Sequence, residues 1–165
     1  MPRFIRIASL SLSALVLNAL ALHAALAQDA DWQAIGAETY AANCAACHQA
    51  EGQGIPAAFP PLAGHAPLLV AAEGGREYLI KVLLYGLQGE ITVLEATYNG
   101  VMPPWPQLSD EQVAAVINHT LHAWGNDALL PEGFEPVSAE EVAAQRELGL
   151  SPAQVHELRA ALELE

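Results

Sequence analysis

Positive charge is what this chain has least of. Six lysines and arginines stand against 19 aspartates and glutamates in 165 residues, a net charge of −13. Arg3 and Arg6 sit at the extreme N-terminus; without them the balance is −15, and only Arg76, Lys81, Arg146 and Arg159 carry fixed positive charge. Such a chain is a poor partner for nucleic acid or for an anionic membrane surface. Cysteine is as scarce, with Cys44 and Cys47 the only two. A structural zinc site would need further ligands close by, and a thioredoxin-like dithiol would need a βαβ setting that this region lacks. No cysteine lies near Ala27, which excludes a lipid anchor there. Methionine is limited to Met1 and Met102. No internal repeat is visible, and no general base, nucleophile or substrate pocket announces itself.

What is present is compact. Cys44-Ala45-Ala46-Cys47-His48 is a C-x-x-C-H sequence. Two thiols at that spacing add across the two vinyl groups of a haem, and the adjacent imidazole is held where it can coordinate the iron. One covalent haem c is the cofactor this motif calls for. The N-terminus agrees independently. Arg3 and Arg6 precede an apolar stretch from Ile7 to Leu22, and Ala25-Leu26-Ala27 offers small residues to a signal peptidase. Thioether attachment takes place outside the bacterial cytoplasmic membrane, so export to the periplasm, with cleavage after Ala27, is expected. The alternative is an uncleaved membrane anchor, since the apolar run approaches the length of a bilayer span.

Helical spacing places Trp32, Gly36, Tyr40 and Cys44 on one face of a short helix leading into the motif. Gly52 and Gly54 predict a tight loop, and Pro60-Pro61-Leu62 another turn. The segment Arg76 to Tyr85 has an amphipathic helical pattern with Gly86 as its stop. Glu90 to Tyr98 alternates poorly and is read as a small hairpin or an extended excursion. Ser109 with Gln112 forms a capping-box pattern, ahead of a helix burying Val113, Val116, Ile117, Leu121 and Trp124 and stopped by Gly125. The fold class is all-α, with short helices around one haem and little or no sheet.

Met102 lies in Gly100-Val101-Met102-Pro103-Pro104-Trp105, read as a loop whose prolines stiffen the backbone. With a haem already placed, Met102 is the expected distal ligand and His65 its rival. His119, His122 and His156 are read as solvent-facing or hydrogen-bonded.

The set Gly36-x3-Tyr40-x3-Cys44-x2-Cys47-His48, a glycine-rich loop, Pro60-Pro61-Leu62, a late Gly-Val-Met-Pro and a terminal aromatic helix resembles the class I monohaem c-type cytochromes over about residues 32–125. The resemblance implies that Gly36 and Tyr40 let the first helix cross the last one closely, against Leu121 or Trp124. It implies that the carbonyl of Pro60 or Pro61 accepts the Nδ1 proton of His48, fixing the imidazole. Trp105 is expected either to hydrogen-bond a haem propionate through its indole N–H or to fill the lower core.

The expected organisation is therefore a leader over 1–27, a cytochrome c domain over 28–125 and an acidic helical extension over 126–165. In the extension Ser138 with Glu141, and Ser151-Pro152 with Gln154, cap two helices. Val142 and Leu148, then Val155, Leu158, Ala161 and Leu162, form their apolar stripes. The extension either packs back on its own domain or docks a larger subunit. The function expected is electron transfer, not catalysis, with redox proteins bearing a basic docking patch as partners. Membrane contact is expected only through a membrane-bound partner or an uncleaved leader. Two alternatives are a haem subunit of a larger dehydrogenase complex and, if Met102 is labile, a ligand-binding or enzymatic haem protein.

Overall fold

Buried positions 36, 39 and 40 recur at helical spacing, and a helix over residues 32–43 (α1) presents that stripe to the protein. The computed structural model describes residues 32–164; the leader expected over 1–27 lies outside the described residues. After α1 come α2 (Ala45–His48), α3 (Ala66–Ala71), α4 (Gly75–Tyr85), strands β1 (Leu87–Val93) and β2 (Ala96–Met102), α5 (Asp110–His122), a 3-10 turn (Asn126–Leu129), α6 (Ala139–Arg146) and α7 (Pro152–Ala161).

The crossing of α1 and α5 sets the frame. A Cβ added at Gly36 would run into the carbonyl of Ala115 and lie 2.8 Å from the Cβ of His119, so only glycine allows the two backbones to come this close. One turn later the ring of Tyr40 packs on Trp124 and His119, at centroid distances of 4.9 and 5.5 Å. The close crossing and the Tyr40–Trp124 contact match the expectation, with Ala115 and His119 as further partners. Leu121 is instead fully buried in the core beneath. The capping box of Ser109 and Gln112 is formed, and α5 buries Val113, Val116, Ile117 and Leu121. It ends at His122, not at Gly125. Trp124 lies beyond it with a φ of 57°, half-buried against the core rather than in the helix.

Of the two readings of Glu90 to Tyr98, the structure has the hairpin, and it is longer than that window, running from Leu87 to Met102. Leu87 pairs with Met102 and Val93 with Ala96 in an antiparallel ladder. Leu87, Ile91 and Val93 face inward, while Gln88, Glu90 and Thr92 are exposed. The turn uses Leu94 and Glu95, both at positive φ, the backbone a two-residue hairpin needs. Gly86 ends α4 at φ 77°, and its missing side chain lets the chain pass within van der Waals contact of Met102 and Pro104.

The C-terminal segment packs into the same core. Val137 and Val142 join the cluster formed by α4 and α5, and Val155 joins one built from Leu69, Tyr78, Val82 and Leu87. Asn118, buried in α5, donates to the Val137 carbonyl at 2.9 Å and accepts from the Val137 N–H at 2.7 Å. Arg76 pairs with Glu141, and Arg146 with Asp110, each guanidinium also bonding two backbone carbonyls. Both predicted capping boxes are formed, but Leu148 and Leu158 are exposed. On α7 the buried pair is Val155 and Arg159, one turn apart.

Candidate functional site

Helix α1 breaks at Cys44, which caps the single turn of α2. The N–H groups of Cys47 and His48 both reach the Cys44 carbonyl, at 3.2 and 2.9 Å. That turn brings Cys44, Cys47 and His48 to one side, at i, i+3 and i+4. Gln49 then takes a φ of 64° and the chain reverses, with the Tyr40 hydroxyl donating to the Gln49 carbonyl at 2.7 Å.

The loop from Glu51 to Leu62 folds back across His48. Gly54 donates to the His48 carbonyl at 2.9 Å, and Leu62 to the Gly52 carbonyl at 2.7 Å. At Gly54, with φ 66°, any side chain would collide with the Phe59–Pro60 backbone. The outcome is a hydrogen bond from His48 Nδ1 to the carbonyl of Pro60, 2.9 Å long. Of the two prolines considered, Pro60 is the acceptor. Because Nδ1 is the donor, the proton sits there and Nε2 keeps its lone pair. Burial pushes the imidazole's pKa down, with the Pro60 bond opposing it, so the ring is neutral and able to ligate a metal.

Cys44, His48, Pro60, Pro61 and Met102 all line a slot of about 780 Å³ counted to its open mouth. Leu69, Leu79, Val82, Leu83, Leu87, Ile91 and Val93 make its walls almost entirely apolar. A second cavity of about 560 Å³ shares His48, Pro60, Leu87, Ile91 and Met102 with it and adds Cys47. The slot's apolar lining with a few convergent polar groups is of the kind used for prosthetic groups. A planar apolar macrocycle fits this chemistry, with two thiols at its edge and an imidazole and a thioether on its walls. Burial raises the Cys44 thiol to about 11, Cys47 adding to the effect.

Met102 reaches the slot from the last position of β2, not from a loop; the prolines begin only after the ladder has fixed it opposite Leu87. Trp105 packs against the α4–α5 core and is not part of the slot's lining. His65 is buried on the slot wall. His122 and His156 bond the carbonyls of Asn118 and Glu90, and His119 stacks on Tyr40 and Trp124. Sequence reasoning missed Arg159, which lines the slot from α7. Its position four residues after Val155 was the available signal, obscured by the leucines on either side.

The chain is 60% identical over 123 residues to cytochrome c-552 of Thermus thermophilus, covering 74% of this chain and 92% of that protein. It is 36% identical over 95 residues to the cytochrome c subunit of an alcohol dehydrogenase (quinone) from Gluconobacter oxydans, of which it spans only 19%. It is 32% identical over 114 residues to the gluconate 2-dehydrogenase cytochrome c subunit of Pantoea cypripedii, spanning 24% of it. Residues 33–124 match the sequence profile of cytochrome c. That match takes in more than half of the chain, which therefore belongs to the cytochrome c family: electron carriers, not enzymes, with covalently bound haem c as their cofactor.

Proposed function

We propose that this protein is a periplasmic single-electron carrier in which Cys44 and Cys47 form the thioethers and His48 and Met102 are the axial ligands. The observation that carries the reading is the His48–Pro60 hydrogen bond, which frees Nε2 on the wall of a slot that Met102 also lines. When bound, the haem supplies a one-electron couple between ferric and ferrous iron. The chain's residues do the rest. Pro60 holds the His48 ring in one orientation and tautomer. Met102, clamped by the β1–β2 ladder and followed by Pro103 and Pro104, has little freedom to leave. His/Met ligation raises the reduction potential. The apolar walls exclude water and favour the less charged ferrous site. His65 is the weaker candidate for the sixth position because its Nε2 already faces the Arg159 guanidinium at 3.4 Å.

Residues 1–27 are the export leader, cleaved after Ala27, followed by the haem domain over 28–125 and the extension over 126–165. The mature surface is strongly acidic, and three of its four fixed cations tie down the extension. Its partners are redox proteins presenting a basic patch, docked briefly and in a salt-sensitive way. The similarity to dehydrogenase cytochrome subunits favours a second reading, in which the protein serves as the haem subunit of such a complex.

The mass of the exported protein tests the assignment. The mature chain should carry one haem through denaturation, and Cys44→Ala/Cys47→Ala should carry none. A wild-type chain that loses its haem on denaturation would contradict it.

A further inference from the structure

The C-terminal helix α7 brings a guanidinium to the haem slot and, among the described residues, pairs it with no carboxylate. Arg159 is 7% exposed, and its pKa is pushed down by burial. Its Nη2 donates to the Thr92 carbonyl at 3.1 Å and makes a longer contact, 3.4 Å, with His65 Nε2. Among the described residues no acidic side chain lies within ion-pair distance of it, although Arg76 and Arg146 both have such partners. A buried, uncompensated cation is expensive in a chain with 19 acidic side chains to offer.

His65 carries the second half of the observation. An arginine only donates, so His65 Nε2 is the acceptor in that contact and the proton resides on Nδ1. That Nδ1 is fully buried and has no hydrogen-bond partner among the described residues. Among the described residues the guanidinium thus has no anion, and the Nδ1–H on the far side of the same ring has no acceptor. His65, Ile91 and Arg159 line both the apolar slot and the open groove between the hairpin and α7, so they mark the place where the slot meets the groove. An anion that is the polar end of an apolar group filling the slot would come to rest at this junction.

We infer that Arg159 and His65 hold a haem propionate, so that a helix outside the matched region 33–124 completes the cofactor site. The inference rests on the haem reading above. The carboxylate would accept from Arg159 in place of the long His65 contact, and a turn of the freed His65 ring would bring its N–H to the same anion, neutralising the buried cation of α7. Docking of the C-terminal helix and loading of the haem are then linked, because the cofactor supplies the counter-ion that α7 lacks.

The test uses haem-loaded protein and reads three things: reduction potential, its pH profile, and amide exchange over residues 152–161. The other titratable or charged groups facing this site are Tyr78 from α4, Glu90 and Glu95 from the hairpin, and His156 on α7. Arg159→Gln should lower the potential, because an unneutralised propionate favours the ferric state. It should also introduce a pH dependence near neutrality as the propionate's own pKa rises, and speed exchange in α7. Arg159→Lys should recover most of the potential. His65→Phe, which keeps the volume but loses the Nδ1 donor, should shift the potential the same way by less. These two variants decide the matter if Arg159→Gln does not accumulate. Haem-loaded variants with the wild-type potential and pH profile would overturn the inference and leave the carrier reading intact. A wild-type potential that moves with phosphate concentration at constant ionic strength would assign the guanidinium to a diffusible anion instead. A wild-type chain without covalent haem would overturn both.

Discussion

His48 and Pro60 are joined by a hydrogen bond of 2.9 Å between a ring N–H and a backbone carbonyl twelve residues on. The carbonyl is presented by a loop that turns on Gly54, where φ is 66° and no side chain fits against Phe59 and Pro60. The electronic setting of the imidazole therefore depends on a glycine that never touches it.

Replacing Gly54 should expose that dependence. Gly54→Ala places a Cβ at positive φ and onto the Phe59 carbonyl, and should destabilise the protein by about 1–3 kcal/mol in denaturant unfolding. Displacing the Pro60 carbonyl makes His48 a weaker donor, so the reduction potential should rise. A variant with lower stability but unchanged potential would mean that the hydrogen bond survives the strain.

Asn118 gives a cleaner test of how the C-terminal segment is held. Its side chain satisfies both backbone groups of Val137, itself 4% exposed. Asn118→Leu keeps the volume and leaves those two groups buried and unpaired. The expected loss is about 3 kcal/mol, read as a lower denaturant midpoint, with the haem spectrum unchanged because the Asn118 side chain bonds Val137 and is not part of the slot lining.

The attachment of α6 should weaken in acid. The Arg76 guanidinium hydrogen-bonded to Glu141, helped by the Ser138 N–H, holds that carboxyl down at about 2 against an ordinary 4.5. A depressed carboxylate stabilises the folded state fully above its unfolded-state pKa, and the contribution is lost as pH falls from 4.5 towards 2. The pair is partly solvent-exposed, so the effect is screened by salt. Amide exchange over residues 138–146 should accelerate through that window in low salt, and Glu141→Gln should flatten the profile.

Much of this was legible in the sequence for physical reasons. Gly36, Tyr40 and Cys44 fall on one helical face, and the three Ser-x-x-Gln/Glu boxes each cap a helix that the structure contains. The hairpin was harder. Its alternation begins at Leu87, before the window that looked irregular, and its turn is Leu94-Glu95 where Asn-Gly would have signalled positive φ. Met102 was read in a loop for the same reason, since the ladder that fixes it runs through Gly89 and Gly100. The C-terminal stripes were right at Val142 and Val155 and wrong at Leu148 and Leu158, leucines that look like core but are exposed. Burial there goes to Val142, Val155 and an arginine, a choice set by tertiary contacts with Tyr78, Thr92 and His65.

Carbon monoxide tests the closed His48/Met102 site most directly. Spectra of the purified reduced protein should be recorded with and without the gas, beside Met102→Ala. The wild type should ignore carbon monoxide and show a Met–iron charge-transfer band when oxidised, whereas Met102→Ala should lose that band and bind the gas. Ready binding by the wild type would contradict the closed site, because the sixth position would then be open to an external ligand.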